Sequence, residues 1–185
     1  MQVLEMITHG GFYIDHEFLP ETQYKILNEN FYNYKFEDTY QPSGIDYGNR
    51  MQAYPVYDTD DLCNIDPNLD LLIKNTVQSL MGIEIDSWQA NLRYIVSEEI
   101  LNSKQNNRYG IKHTDRTQYA GVMYFEQTTT GGTAFFRTPL DNEPDIEIGS
   151  NENRCIIFNG QMFHAPSHDF SYDRRKSLVF FFNIK

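Results

Sequence analysis

The chain has 185 residues, 40% of them hydrophobic and 15% aromatic, so it is long enough for one domain with a sizeable core and too apolar to be intrinsically disordered. The formal net charge of −11 argues against a nucleic-acid partner, because a surface that tracks phosphates needs clustered Lys and Arg. The first residues lack a signal-peptide pattern, and no run approaches the roughly 20 apolar residues that span a bilayer. Two cysteines without a CxxC pattern predict no disulfide framework. We therefore expect a soluble, cytoplasmic protein without a membrane partner.

The N-terminal residues predict a strand-like opening followed by a helix. Residues 2–19 have the composition of strands, interrupted by a glycine pair. Pro20 suits the start of a helix, because its missing N–H falls at a position that has no intrahelical partner. The buried stripe of this helix is predicted to contain Ile26, Leu27 and Phe31.

A second helix is predicted with both of its ends defined. Asp66 is a favourable N-cap, and Pro67 is a favourable first residue. Gly82 suits the left-handed position that follows many helices. Between these ends, apolar residues recur at spacings of three and four: Leu69, Leu72, Ile73, Val77, Leu80 and Met81.

After residue 83 the hydrophobic pattern changes to period two, which is typical of strands. Five strands are predicted, at residues 88–96, 119–125, 133–136, 154–158 and 177–184. Two helices followed by many strands predict an α+β fold with the helices packed on one sheet face. No repeat, low-complexity block or linker divides the chain, so residues 1–185 are predicted to form a single domain.

Three residues in the second half of the chain predict a metal site. His113 and Asp115 are separated by one residue, so on a strand they share a face with their Cα atoms roughly 7 Å apart. His164 can supply a third ligand from a distant strand. Two imidazoles and one carboxylate on one face of an octahedral ion leave the other positions open, and this is the ligand set of non-heme Fe(II) oxygenase sites.

Five motifs then follow one another in a fixed order. They are His-Thr-Asp at residues 113–115, the strand at 119–125, Gly-Gly-x-x-Phe within 131–136, the Asn-Gly turn and histidine within 156–165, and Arg-Lys-Ser-Leu at 175–178. Together they resemble the 2-oxoglutarate/Fe(II)-dependent dioxygenases, most closely the prolyl-hydroxylase-like branch. The resemblance implies a double-stranded β-helix (jelly-roll) catalytic core over residues 89–185. Residues 1–88 would then form the N-terminal strand and helix support and a lid.

The resemblance implies that His113, Asp115 and His164 are the catalytic residues and hold Fe(II). His168 is the rival for the distal histidine. His164 is preferred because it follows the Asn-Gly turn at the spacing typical of the family, whereas His168 lies beyond Pro166 in a loop-like segment. Asp115 also favours hydroxylation, since the related halogenases lack this carboxylate.

The co-substrate 2-oxoglutarate is implied to bind Arg175, Ser177 and Tyr94. Arg174 and Arg175 alternate on a strand, so only one of them can face the core, and Arg175 shares its face with Ser177. Tyr94 is the candidate because related enzymes carry a tyrosine on the strand before the iron motif. The competing tyrosines are Tyr109 and Tyr124.

The implied activity uses O2 and 2-oxoglutarate to hydroxylate a C–H bond of a peptidyl (prolyl-type) or small-molecule substrate, with release of succinate and CO2. The irregular segments 38–61 and 97–112 are candidate lids over such a site. The alternative is a non-enzymatic, cupin-like jelly roll that keeps a metal for structure. Turnover of 2-oxoglutarate separates the two interpretations.

Overall fold

The computed structural model describes residues 2–38, 56–96, 109–128, 131–167 and 173–185. The helices are α1 (Gln2–Thr8), α2 (Glu21–Asn30), α3 (Leu62–Ile65) and α4 (Pro67–Met81), and Phe31–Asn33 forms a short 3-10 helix. The strands are β1 (Phe12–Asp15), β2 (Glu37–Asp38), β3 (Val56–Asp58), β4 (Ile85–Val96), β5 (Tyr119–Tyr124), β6 (Thr133–Phe136), β7 (Ile146–Ile148), β8 (Cys155–Asn159), β9 (Phe163–Pro166) and β10 (Arg174–Ile184). None of the helices in these residues has the length and apolar character needed to cross a bilayer.

The strands form two antiparallel sheets. In the larger sheet seven strands lie in the order β1-β8-β5-β10-β4-β3-β2, and in the smaller sheet three strands lie in the order β7-β6-β9. Neighbouring strands pair antiparallel throughout both sheets. The predicted mixture of N-terminal helices with a later, sheet-rich half is confirmed.

The central strand β10 presents alternate side chains to the two sides of the larger sheet. Leu178, Phe180 and Phe182 are fully buried in a hydrophobic cluster that also contains residues of α1, α2 and α4. The ring of Phe180 stacks on the rings of Phe18 and Trp88. Burial of each such side chain stabilises the fold by about 1.5–3 kcal/mol, so this cluster is the main core of the molecule.

Gly121 on β5 makes room for one of these rings. It pairs with Phe180 across the two strands, and a Cβ atom at Gly121 would lie 2.1 Å from Cζ of Phe180. Because that distance is far below van der Waals contact, any side chain at this position would displace the ring from the core.

Helix α4 begins and ends at the predicted residues. The side chain of Asp66 accepts a hydrogen bond from the backbone N–H of Leu69, and Pro67 is the first helical residue. Gly82 has φ of 63°, a left-handed conformation that a side chain would disfavour. The buried face carries Ile73 and Val77, as the spacing of apolar residues predicts.

Helix α2 follows Pro20 as predicted, but its buried stripe differs at one position. Leu27 and Phe31 are buried, whereas Ile26 is 56% exposed and the prediction for it is wrong. Tyr24 is buried instead, and its hydroxyl donates a hydrogen bond to the carbonyl oxygen of Phe125. The stripe at 24, 27 and 31 follows helical spacing, and Ile26 lies outside it.

The prediction of strand structure over residues 2–19 is wrong for the first seven residues. They form helix α1, and only Phe12–Asp15 forms a strand. Val3 and Ile7 are four residues apart, so on a helix they share a face, and Ile7 is fully buried. The composition of this segment did not indicate a helix, because a helix this short is stabilised mainly by tertiary packing and not by the helix propensity of its residues.

The five predicted strands are found, with shifted ends, as β4, β5, β6, β8 and β10. The period-two pattern does not predict β7 and β9, which have three and four residues. β7 is too short to show a period, and β9 ends at Pro166, a residue type that is rare within strands. Within the predicted irregular segment 38–61, residues 56–58 form β3, while residues 39–55 and the greater part of 97–112 lie outside the described residues.

Candidate metal centre

Three side chains converge between the two sheets. His113 forms a single β-bridge with His164 of β9, in which each backbone N–H donates to the other residue's carbonyl oxygen at 2.9 Å. The N–H of Asp115 donates to the carbonyl oxygen of Gly160 at 2.7 Å. As a result, one ligand atom from each of the three residues lies within 4.8 Å of the others.

The hydrogen bonds of both imidazoles favour the tautomer that a metal ligand needs. Nδ1 of His113 lies 2.9 Å from the carbonyl oxygen of Ile111, and Nδ1 of His164 lies 2.9 Å from that of Met162. A carbonyl oxygen can only accept, so each Nδ1 donates its proton there, and Nε2 is the nitrogen that each ring directs towards a metal. The Nε2 atoms face the Asp115 carboxylate, 3.8 Å from His113 and 3.4 Å from His164.

The electrostatics of this cluster also suit a cation. Burial raises the pKa of Asp115, against the opposing effects of His113 and Arg93. Burial, followed by the charge of His113, lowers the pKa of His164 to about 3, so that this ring is neutral near pH 7. Among the described residues, Oδ2 of Asp115 is buried without a hydrogen-bond partner. A divalent ion would satisfy that oxygen and compensate the buried negative charge.

The cluster opens on a pocket of about 490 Å³, a volume that includes its mouth. The walls come from the inner face of the larger sheet and from β6 and β9 of the smaller one. Apolar side chains such as Phe158, Val179 and Phe181 form much of this wall. The predicted pair Arg175 and Ser177 also lines the pocket.

Arg175 marks a polar part of the pocket. Its Nη2 donates to the carbonyl oxygen of Gly132 at 2.8 Å, and its guanidinium lies 5.5 Å from the ring centre of Tyr124. The hydroxyl of Tyr124 is 2.7 Å from that of Thr133, which lines the pocket. Burial raises the pKa of Tyr124 to about 12, so the hydroxyl stays protonated. Ser177, 2% exposed, completes this group of hydrogen-bonding side chains.

Arg174 and Tyr94 lie on the other side of the sheet. The guanidinium of Arg174 lies 5.3 Å from the ring centres of both Tyr32 and Tyr94. The ring of Tyr94 also stacks on Tyr57 at 4.7 Å. The structure therefore brings Arg175 to the pocket and does not bring Arg174 or Tyr94 there.

The other competing residues have separate positions. Tyr109 packs edge-on against Phe136, outside the residues that line the pocket. Tyr124 contacts the pocket residue Thr133 from behind. His168, the rival distal histidine, lies outside the described residues.

Known structures with the same fold belong to one class of enzyme. No protein-family model and no curated protein sequence matches the chain. Many solved structures share its fold, among them the following three. A 2OG-Fe(II) oxygenase family oxidoreductase from Burkholderia pseudomallei has a TM-score of 0.64 at 10% identity, over 98% of this chain and 87% of that one. A prolyl hydroxylase in complex with a hypoxia inducible factor oxygen degradation domain peptide, from Trichoplax adhaerens, has 0.65 at 12% identity, over 98% and 89%. HygX from Streptomyces hygroscopicus, with nickel, 2-oxoglutarate and hygromycin B bound, has 0.64 at 8% identity, over 97% and 85%.

The chain has the fold of the 2-oxoglutarate/Fe(II) oxygenases. The resemblance seen in the sequence motifs is thereby confirmed at the level of the fold. Sequence identities of 8–12% carry no further information about substrate or activity.

Two residues that line the pocket have no role predicted from the sequence. Thr133 belongs to the predicted strand at residues 133–136, and Arg93 to the predicted strand at residues 88–96. Tyr124 is one of the competing tyrosines, and it reaches the pocket only through Thr133. A period-two pattern says that Arg93 and Tyr94 face opposite ways, but only the register of β4 against β10 shows which one faces inward.

Proposed function

We propose that the chain is an Fe(II)- and 2-oxoglutarate-dependent dioxygenase, with His113, Asp115 and His164 as the metal ligands. The observation that supports this best is the position of the three ligand atoms, which lie within 4.8 Å of one another in a pocket that Arg175 also lines. The donor set fits a ferrous ion, since two imidazole nitrogens and one carboxylate oxygen come together at one point.

The proposal includes a single domain over residues 1–185. Residues 89–185 form a jelly-roll catalytic core, in which the larger and smaller sheets enclose the pocket. Residues 1–88 form the support, whose helices pack on the outer face of the larger sheet. The hydrophobic cluster shared by α1, α2, α4 and that sheet supports this division.

Each group of pocket residues has one task. His113 and His164 present Nε2 to the metal in orientations fixed by their Nδ1–H bonds, and Asp115 supplies the negative charge. Arg175 binds the distal carboxylate of 2-oxoglutarate, with the hydroxyls of Ser177 and Thr133 beside it. Bound Fe(II), with O2 and 2-oxoglutarate, supplies the oxidation of a C–H bond and the release of succinate and CO2.

Tyr124 replaces Tyr94 in this proposal. Its hydroxyl holds that of Thr133 at 2.7 Å, and its ring packs beside the guanidinium of Arg175. It therefore positions two of the groups that bind the co-substrate. Phe158, Val179 and Phe181 keep the pocket apolar and limit the access of water.

The substrate is proposed to be a peptidyl (prolyl-type) side chain or a small molecule. Structural neighbours were solved with a peptide and with hygromycin B, which supports both classes. The acidic net charge of −11 argues against a nucleic-acid substrate, and we place the enzyme in the cytoplasm without a membrane partner.

The rival function, a jelly roll with a structural metal, fits the site less well. A structural site is closed by four protein ligands. The cluster found in the described residues has three, and it faces a pocket that is lined by the cationic side chain of Arg175. The carboxylate-binding group around Arg175 would have no task in such a protein.

The test is succinate production. The protein is loaded with Fe(II) without oxygen, then mixed with O2 and 2-oxoglutarate, and succinate is measured by mass spectrometry. We expect slow turnover in the parent, none above background in His113→Ala, and parental turnover in His9→Ala, a control at an exposed histidine. A parent protein that binds the metal but produces no succinate at saturating 2-oxoglutarate would contradict the proposal.

A further inference from the structure

The pocket contains a second arginine that the co-substrate site described above does not use. Arg93 lies on β4 and lines the pocket with Arg175 of β10. Arg93 pairs with Ser177 across the two strands, and Arg175 pairs with Ile95. The two arginines are therefore diagonal neighbours on one face of the sheet, a spacing at which long side chains reach a shared ligand.

The two guanidinium groups lie at different levels of the pocket. The ring of Phe158 lies 4.8 Å from that of His164, and Phe158 pairs through Ala120 of β5 with Phe181 of β10. The strand partner of Arg93 on β10 is Ser177, which is two residues nearer to Phe181 than Arg175 is. Arg93 therefore lies nearer to the metal end of the pocket than Arg175 does.

Arg93 is held in this wall by an ion pair with Asp58 of β3. Its Nε lies 2.7 Å from Oδ1 and its Nη2 lies 3.0 Å from Oδ2. The side chains are 27% and 13% exposed, so the pair is largely removed from solvent. Two parallel hydrogen bonds fix the guanidinium plane, which lowers the entropic cost of a further contact by the same group.

We propose that Arg93 binds a carboxylate at the metal end of the pocket. This inference rests on the proposed dioxygenase function and deepens it. A carboxylate that approaches the metal comes close to the negative Asp115, and the fixed cation of Arg93 in the same pocket wall offsets the repulsion. Two sources of the carboxylate share this chemistry: the carboxylate next to the oxo group of 2-oxoglutarate, and a carboxylate on the prime substrate.

The experiment is calorimetric titration of the full chain loaded with Mn(II). The first arm compares 2-oxoglutarate with 2-oxobutyrate, which keeps the oxo acid and lacks the distal carboxylate. The second arm titrates propionate, and propionamide as its neutral match, into protein saturated with Mn(II) and 2-oxoglutarate. The variants are Arg93→Met, the double change Asp58→Asn with Arg93→Met, and Arg175→Met as the comparison.

The double variant keeps the test valid if Arg93→Met does not fold, because it leaves no unpaired buried carboxylate at residue 58. Circular dichroism and thermal melting establish that each variant is folded. If the Asp58–Arg93 pair only links β3 to β4, the double variant binds every probe as the parent does.

The expected result is a loss of roughly tenfold or more in one arm, the size of a charge-assisted hydrogen-bonding contact. If the co-substrate is the source, loss of Arg93 weakens 2-oxoglutarate and 2-oxobutyrate alike, whereas Arg175→Met weakens only 2-oxoglutarate. If the prime substrate is the source, the parent binds propionate more tightly than propionamide, and loss of Arg93 removes the preference.

Unchanged binding in both arms overturns the role of Arg93 while the dioxygenase proposal stands. A parent that does not bind 2-oxoglutarate in the presence of the metal overturns both, so the two failures are distinguishable.

Discussion

The two faces of strand β10 carry different side chains and serve different purposes. On the pocket face, Arg175 and Ser177 are surrounded by a cavity and by groups that bind polar ligands. On the opposite face, Leu178 and Phe180 are fully buried against the helices. One strand thus joins the main core to the candidate active site. A substitution on this strand affects the core or the site, depending on the face on which the residue lies.

The basic residues of β10 show the same division. On the helix face, the Lys176 ammonium lies 5.5 Å and 5.6 Å from the ring centres of Phe31 and Phe125. Its backbone N–H also donates to the carboxylate of Glu126. Because rings and a carboxylate enclose its side chain, Lys176 stabilises the fold, whereas Arg175, one residue earlier, faces the pocket.

The largest expected contrast concerns stability. Phe180→Ala removes a fully buried ring from the main core and should lower the free energy of unfolding by about 3–5 kcal/mol. Phe181→Ala, on the pocket face of the same strand, should cost less than half of that because its ring is only partly buried. Urea unfolding followed by circular dichroism measures both changes, and equal losses would show that the two faces do not differ in packing.

The second contrast concerns 2-oxoglutarate. Arg175→Met should raise the KM for 2-oxoglutarate by roughly 30-fold or more, since a buried charged partner of the carboxylate is lost. Arg174→Met is the matched control and should change the KM less than about twofold, because an exposed charge contributes little. Succinate formation at varied 2-oxoglutarate provides the measurement. A larger effect at Arg174 would reverse the assignment of the two faces.

How much of this contrast the sequence predicts depends on the kind of signal. Helix α4 was predictable because local residues, Asp66 and Gly82, define its ends. The cluster of His113, Asp115 and His164 was predictable because His113 and Asp115 are close in sequence and belong to a recognisable order of motifs. These signals do not depend on which distant segments meet.

The remaining features depend on pairing between distant segments. Arg93 and Asp58 are 35 residues apart, and no local pattern joins them. Parity alone left the choice between Arg93 and Tyr94 open, and the register of Arg93 with Ser177 decides it. Likewise, the buried stripe of α2 contains Tyr24 and not Ile26 because the Tyr24 hydroxyl bonds to the carbonyl oxygen of Phe125, a contact between distant segments that forms only in the folded chain.

The last contrast is a pH dependence that arises on the helix face. Burial raises the pKa of Glu126 to about 7, and the charge of Lys176 opposes this shift only in part. A carboxyl whose folded pKa lies above its unfolded value of 4.5 contributes stability below pH 4.5 and loses that contribution as the pH rises towards 7. The contribution of His164 has the opposite sign, because its folded pKa of about 3 lies below the usual 6.5, so its stability is present above pH 6.5 and is lost as the pH falls.

Glu126→Gln separates these two contributions. The variant keeps the shape of the side chain without its titration, so the metal-free variant should lack the component of stability that falls between pH 4.5 and 7 and retain the component that comes from His164. The free energy of unfolding of parent and variant, measured by urea at several pH values in that interval, gives the difference directly. If the difference is constant with pH, Glu126 is ionised throughout the interval, and the Lys176 pair on the helix face is a permanent ion pair.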